Sequence, residues 1–491
     1  MGEGRVLLSM KGRLLMDEPV RFEIVYSDEC LEARGGLPLI GQLLANTKLK
    51  RAFDWLAVSG YKHPRIGHGA IVSIFVGICC LARPDFSAIE DEASGDMFRL
   101  SLGLDMLPSQ ETLRQRLDAI AADKPAQARQ IIHDANTALI ASHASTITPC
   151  LTHKEQSWVA LDSDVSPCNN SQTKKQGVGR TYKGEDGYAP NFAHLGEEGY
   201  QINVELREGT QHCQKGTPAF LDEAIVNARS ILDARGGDDS EARLLVRLDA
   251  GNDDVENVRV CRSHPGTDWL IKRNRRQESV EDWRTFIKAN GDCEQPRVGK
   301  EIWRGDCWLE RDDRWERVVF EMTERTSTAD GQRLLSASID LNTWWTSLPK
   351  CKASVATVIQ LYRDHATSEQ FHSELKSDMD LERLPSGKFA TNALVLELGM
   401  LAYNALRITG QRSLELNETL PAEDQAPVKR DPQGEPRAKR RRIRRVIQDV
   451  MYLAVKLTRT GRRWCVHLSG ASMWSSVCGA LYEHLLRLKP T

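Results

Sequence analysis

The segment LYRDHATSEQFHSELK, residues 361–376, decides how the rest of the chain reads. Tyr362, Glu369 and Lys376 follow one another at intervals of seven. Seven residues is close to two turns of an α-helix, so a helical segment sets the three side chains near one line. A carboxylate and an ammonium on one face, with a phenol beside them, suit a site that holds a metal ion and a phosphate together. Upstream, two stretches carry acids at the ends of apolar runs: VALDSDVSP (159–167) and LLVRLDAGN (244–252).

Each acid also has a plain structural reading. Asp162 and Asp164 stand at i and i+2 and share one face of a strand, but Asp, Ser and Pro167 are also turn formers. Asp249 directly follows LLVRL, and loops after strands are commonly acidic. The set is more specific than its members. Mg2+ prefers oxygen ligands and keeps several waters, so a few carboxylates and a substrate phosphate suffice. Two such ions about 3.5–4 Å apart activate a water and stabilise a leaving oxygen. Acids from two strand ends and one helix therefore point to metal-assisted phosphodiester chemistry.

The bulk composition bounds the answer. A chain of 491 residues is too long for one core, so two to four domains are expected. Hydrophobic residues at 41% and charged residues at 27% are ordinary for a globular protein. A net charge of −2 argues against a simple nucleic-acid coat, although local patches matter more than the sum. Twelve cysteines without a CxxC pair give no zinc spacing, and no secretory signal opens the chain, so a reducing cytoplasm is expected. The apolar run AIVSIFVGICCLA (70–82) is too short to span a bilayer, which needs roughly 20 residues, and reads as a core helix; no membrane partner is expected. The five histidines His153, His194, His212, His264 and His372 lack ligand spacing, and neither a P-loop nor a G-x-S-x-G elbow is present.

Composition shifts divide the chain. Residues 1–150 read as mostly helical, a DNA-binding or dimerisation region, with RFEIVYS (21–27) as a short strand or loose arm and Ser109 starting a helix. Residues 151–260 read as strand, hairpin, helix, strand. The hairpin turns at Gly196 and Gly199, and the helix is capped by Thr217, begun by Pro218 and ended at Gly236. Residues 261–350 read as an all-β insertion carrying Trp303, Trp308, Trp315, Trp344 and Trp345. Most of these belong to a sheet face or core, and one could stack on a displaced base. Helices return over 351–411, residues 412–440 form an exposed linker, and 441–491 form a basic helical tail. Its arginines, Arg437 to Arg445, suit DNA backbone through counterion release, against the alternative of a solvated helix face.

The spacing Tyr362, position 365, Glu369, Lys376 resembles the Tyr-x2-Arg-x3-Glu-x6-Lys signature of DDE transposases of bacterial insertion sequences. The resemblance extends to Asp162–Asp164, to GYAPNFAHLGEEGYQINVELREGTQ (187–211), to LVRLDAGN (245–252) and to RRRIRRVIQ (440–448). Position 365 departs, with histidine where the family has arginine, which removes a bidentate fork and makes the charge depend on pH.

The resemblance implies an α/β fold with a ribonuclease-H-like catalytic core and an all-β insertion, flanked by helical N- and C-terminal regions. It makes Asp249 and Glu369 the second and third catalytic acids. The first is Asp162, which continues the strand, or Asp164, which better fits an acid followed two residues later by a hydroxyl. Asp164, Asp249 and Glu369 would hold Mg2+, with Mn2+ as an alternative. Tyr362, His365, Lys376, Arg440, Arg441, Arg442, Arg444 and Arg445 would contact DNA. The implied partners are double-stranded DNA, as terminal inverted repeats and target, and a second copy of the chain in a synaptic dimer. The reaction would be cleavage at transposon ends followed by strand transfer, in a bacterial cytoplasm at the nucleoid. Two rivals are a metal-dependent nuclease that only cuts and a non-catalytic DNA-binding descendant.

Overall fold

The computed structural model describes residues 29–432 and 440–488. The expected strand or arm at 21–27, and Arg437 and Lys439 of the basic tail, lie outside the described residues.

One large sheet organises the chain. Its strands are β1 (Gln156–Val165), β2 (Asn191–Leu195), β3 (Tyr200–Glu205), β4 (Arg243–Leu248), β5 (Thr267–Lys272), β6 (Asp292–Arg297), β7 (Lys300–Arg311), β8 (Arg314–Ser327) and β9 (Arg333–Thr346). Their spatial order is β6-β7-β8-β9-β5-β4-β1-β2-β3, with a short strand Leu151–His153 paired to the start of β1. β1 and β4 are parallel, as are β4 and β5, and the other pairs are antiparallel. Two parallel neighbours need a crossover. The helix Thr217–Arg235 supplies it between the hairpin and β4.

The burial of these strands explains their composition. β4 is buried from Leu244 to Leu248, and β1 from Val159 to Ser163, so both faces of the centre are covered. Such strands read as continuous apolar runs rather than alternating ones. The hairpin β2–β3 turns as expected, with Gly196 and Gly199 at φ +73° and +71°. Its helix start differs from expectation. Gly216, at φ +81°, is the cap, and Thr217 is the first helical residue, its hydroxyl donating to the Cys213 carbonyl at 2.6 Å. A left-handed cap position favours glycine, which leaves threonine free for the first turn.

Helices dominate 29–150. His68–Cys80 is buried almost throughout. Gln110–Asp123 is capped by Ser109, whose hydroxyl accepts from the Thr112 amide at 3.3 Å. The long helix Phe389–Thr419 packs on both, on Pro125–His143 and on β3. It is long and apolar enough to cross a bilayer, yet 83% of that window is buried inside the fold. Glu397 on this helix meets Arg129 and, at 2.9 Å, His133, both from Pro125–His143.

Three expectations change. The 261–350 segment is not all β, because it includes the helix Val280–Asn290, and its last strand β9 pairs with β5 and continues the central sheet. The 412–440 linker starts later, since Phe389–Thr419 stays helical where buried Ser413 and Asn417 hold it to the core. The tail beyond 441 is not simply helical: Val455–Thr460 and Arg463–Leu468 form a hairpin that pairs with Leu31–Glu32 before the helix Ser475–Arg487. Arginines there obscured an alternating apolar pattern, Val455 and Leu457, that a sheet requires.

Candidate active site

The parallel register builds the site. β1 and β4 pair Asp162 with Arg247 and Ser163 with Leu248. One residue further, Asp164 and Asp249 leave the C-terminal ends of adjacent parallel strands. Such ends are where open α/β sheets place their chemistry. Two helices bring the third acid. Val355–Asp364 ends before His365, and Thr367–Ser373 carries Glu369. The 361–376 segment is therefore not one straight helix. It breaks at His365 and passes into a π-helical turn, Glu374–Asp378. The break replaces the expected alignment along one helix face, and the three side chains still meet at one cavity.

That cavity, about 930 Å3, is lined by Asp164, Asp249, Glu369, Tyr362, His365, Lys376, Lys183, Lys272 and Arg363, among others. Asp164 is half-buried, and its pKa is pushed up to about 6 by burial first, then by the charge of Asp249, with Glu369 adding to it. Lys376 donates from Nζ to the Ser166 hydroxyl at 2.8 Å and to the Pro167 carbonyl at 3.1 Å, which fixes its charge beside the end of β1. Burial, with Asp249 and Asp164 behind it, raises the Tyr362 phenol and keeps it protonated. His372, fully buried with its Nδ1 3.8 Å from Asp164, is held neutral by burial and by His194. Glu374 is locked beneath by Arg407 and Tyr403 of the long helix. Among the described residues, no three His, Cys, Asp or Glu side chains cluster tightly enough to hold one ion by themselves.

Asp162 has a different environment. Arg247 grips it with two bonds of 2.6 Å, and His365 Nδ1 meets it at 2.8 Å. Burial alone would raise its pKa, but Arg247 and His365 outweigh it and hold the carboxyl well below the usual range. It faces a smaller cavity of about 200 Å3, lined also by Cys150, Arg247, Phe371 and Arg440. His365 is correspondingly buried, and its Nδ1 is committed to Asp162 rather than to solvent.

The arginines of the tail mostly point back to the protein. Arg440 stacks over Phe371 at 4.5 Å and donates to Gln370. Arg441 is buried against Trp474, paired with Asp449 at 2.6 Å, so it does not present a free charge to DNA. Arg442 and Arg444 share the fully buried Asp378 carboxylate at 2.8 and 3.2 Å. Arg445 is exposed. A buried carboxylate attracts the nearest cations, which a reading of charge density along the chain does not reveal. Trp344 lines the main cavity while Trp345 is buried elsewhere; Trp308 and Trp315 are exposed.

Arg247, Lys183, Lys272 and Arg363 went unnoticed in the sequence. For Arg247 a signal existed: one cation inside the apolar run LLVRL, two residues before Asp249 and so on the same face. The loop holding Lys183 carries none.

No curated protein sequence matches the chain. Among solved structures, it is similar to the piggyBac transposase in a synaptic complex with hairpin DNA, at TM-score 0.41 and 10% identity, covering 92% of this chain and 85% of that one. Residues 29–425 match the family model described as Transposase DDE domain group 1. That match spans most of the sequence, and the chain belongs to the DDE transposases of this group.

Proposed function

We propose that this transposase frees the ends of its own element and joins them to target DNA, with Asp164, Asp249 and Glu369 as the carboxylates that hold Mg2+, or Mn2+ in its place. The observation that carries the reading is the meeting of these acids, from two parallel strand ends and one helix, on a cavity shared with Lys376 and Tyr362. The donors are all oxygen, which suits a hard cation that keeps waters and completes its shell with substrate phosphate. One or two carboxylates per ion then suffice. The crowding of Asp249 and Glu369 on Asp164 is a like-charge strain that a divalent cation relieves.

Bound there, such ions lower the pKa of the attacking water or hydroxyl and stabilise the leaving oxygen. The chain's own groups do the rest. Lys376, pinned by Ser166 and Pro167, presents a fixed point charge to a phosphate. The protonated Tyr362 hydroxyl donates one hydrogen bond to a phosphate oxygen. Neutral His372 backs Asp164 without competing for it as a cation. Asp164 rather than Asp162 serves as the first acid, because the Asp162 oxygens are already taken by Arg247 and His365.

The order β3-β2-β1-β4-β5, a hairpin followed by parallel neighbours, supports a ribonuclease-H-like core, and the β6–β9 meander supports a β-rich insertion between the second and third acids. The partners are terminal inverted repeats and target duplex. The working form is a homodimer, since two ends must be cut together. The setting is a bacterial insertion sequence in the cytoplasm. The test is a labelled DNA carrying the element's end, incubated with Mg2+. The parent yields cleaved and joined products, and Asp249→Ala lowers both by about 100-fold or more. Hydrolysis without joining would replace the transposase by a nuclease, and a parent without cleavage would remove the reaction altogether.

A further inference from the structure

Three side chains beside the proposed metal-holding acids form a second, fully internal constellation. The Arg247 guanidinium is used on all sides: Nε and Nη2 bind the two Asp162 oxygens at 2.6 Å each, and Nη1 donates to the Leu361 carbonyl at 2.7 Å. Leu361 lies in the last turn of Val355–Asp364, where carbonyls have no partner within the helix. His365 stands at the break between this helix and Thr367–Ser373, and its Nδ1 meets Asp162 Oδ1 at 2.8 Å. The side chains of Asp162, Arg247 and His365 are only 2%, 5% and 7% exposed. The Tyr362 ring packs between Trp344 and His365 with both centroids at 5.7 Å.

Two of these contacts, Arg247 to the Leu361 carbonyl and His365 to Asp162, run from the paired strands β4 and β1 to the joint at 361–365, and the Arg247–Asp162 pair ties those two strands together. Asp164 and Asp249 stand two residues beyond Asp162 and Arg247 on those strands. Glu369 stands four residues beyond His365 on the following helix. A small rotation at the joint therefore moves Glu369 relative to the other two acids. The other charged contact described at this joint, Arg363 to Glu321 at 2.7 Å, runs to β8 rather than to β1 or β4.

We propose that Asp162, Arg247 and His365 form a lock that sets the Glu369-bearing helix against the ends of β1 and β4, so that all three are positioning residues for the metal-holding acids. The lock rests on the assignment of Asp164, Asp249 and Glu369 as those acids. It also gives histidine at 365 a role of its own, as an internal partner of a carboxylate rather than a phosphate contact. Its ring reaches Asp162 Oδ1, the oxygen that also accepts from Arg247 Nε, while Oδ2 accepts from Nη2.

Two readouts test it: Mn2+ binding to the free protein, followed by electron paramagnetic resonance, and Mg2+-dependent cleavage of end-containing DNA. His365→Ala removes one arm without stranding a buried charge alone, and it should weaken Mn2+ binding and slow cleavage by about tenfold each. His365→Gln keeps an N–H for Asp162 and should recover most of both. The double variant D162N/R247Q replaces the ion pair by an uncharged hydrogen-bonded pair, so it folds where a lone buried charge would not. It should retain weakened Mn2+ binding, whereas D164N loses it. The lock is overturned if H365A matches the parent in both readouts, or if D162N/R247Q abolishes Mn2+ binding as fully as D164N does, since Asp162 would then be a ligand. A parent that binds Mn2+ but cuts no DNA refutes the proposed reaction alone, and the order of Mn2+ affinities still decides the lock. A parent that binds no Mn2+ overturns both.

Discussion

Asp162 and Asp164 are two residues apart on one strand face, and their surroundings drive them in opposite directions. Asp162 is neutralised inside the protein by Arg247 and His365; Asp164 is crowded by Asp249 and Glu369. Removing one partner of a buried pair leaves the other uncompensated. Asp162→Asn should therefore cost about 3–5 kcal/mol, read in urea unfolding curves. Asp164→Asn should do the reverse in metal-free buffer. Its carboxyl titrates at about 6 in the folded protein, above the ordinary value of 3.8. The folded state then binds more protons than the unfolded one between these values, so stability falls as pH rises through that window. The penalty is complete above about pH 6. Asn relieves it, with a gain on the order of 1–2 kcal/mol at pH 8 that vanishes below pH 4. Equal effects of the two substitutions would refute this division of roles.

At the scale of elements, the hairpin β2–β3 supports the helix that carries Glu369. Gly199 in its turn has φ +71°, and a Cβ there would lie 2.2 Å from the Phe371 ring. Phe371 packs on His194 at 5.0 Å between centroids, and His194 on His372 at 5.5 Å, next to Asp164. Gly199→Ala meets both a left-handed backbone penalty and an overpacked ring. Together these should cost about 2–4 kcal/mol in unfolding experiments. Cleavage should fall further than stability alone explains, because Phe371 sits two residues after Glu369. Gly236→Ala, also at positive φ but in open space at the end of the crossover helix, is the control and should pay only the backbone term.

For the whole molecule, the chain's last segment acts as a buttress more than as a free basic arm. Ile443, Val446, Val450 and Met451 join the main core, and Arg441 is buried between Asp449 and Trp474. Arg441→Ala leaves a cavity and an unpaired carboxylate, and should lower stability by about 3 kcal/mol or more. Arg445→Ala, at an exposed position, should stay within about 0.5 kcal/mol of the parent. If Arg445 contacts phosphate, its loss reduces the slope of log affinity against log salt by about one. Urea unfolding and a salt titration of DNA binding read these separately.

Much of this molecule was legible in order along the chain. Apolar runs ending in acids marked β1 and β4, glycines marked the hairpin, and the spacing of Tyr362, Glu369 and Lys376 marked helical structure there but not its break at His365. All of these are local signals, since backbone conformation and the facing of near neighbours follow from dihedral preferences and periodicity. What the sequence could not decide was which of two equivalent aspartates enters the cavity and where each arginine turns. Those depend on partners remote in the chain: Arg247 is 85 residues from Asp162, and Asp378 is 64 from Arg442. A buried charge takes whatever counter-charge the packed fold brings within reach, and only tertiary structure sets that distance.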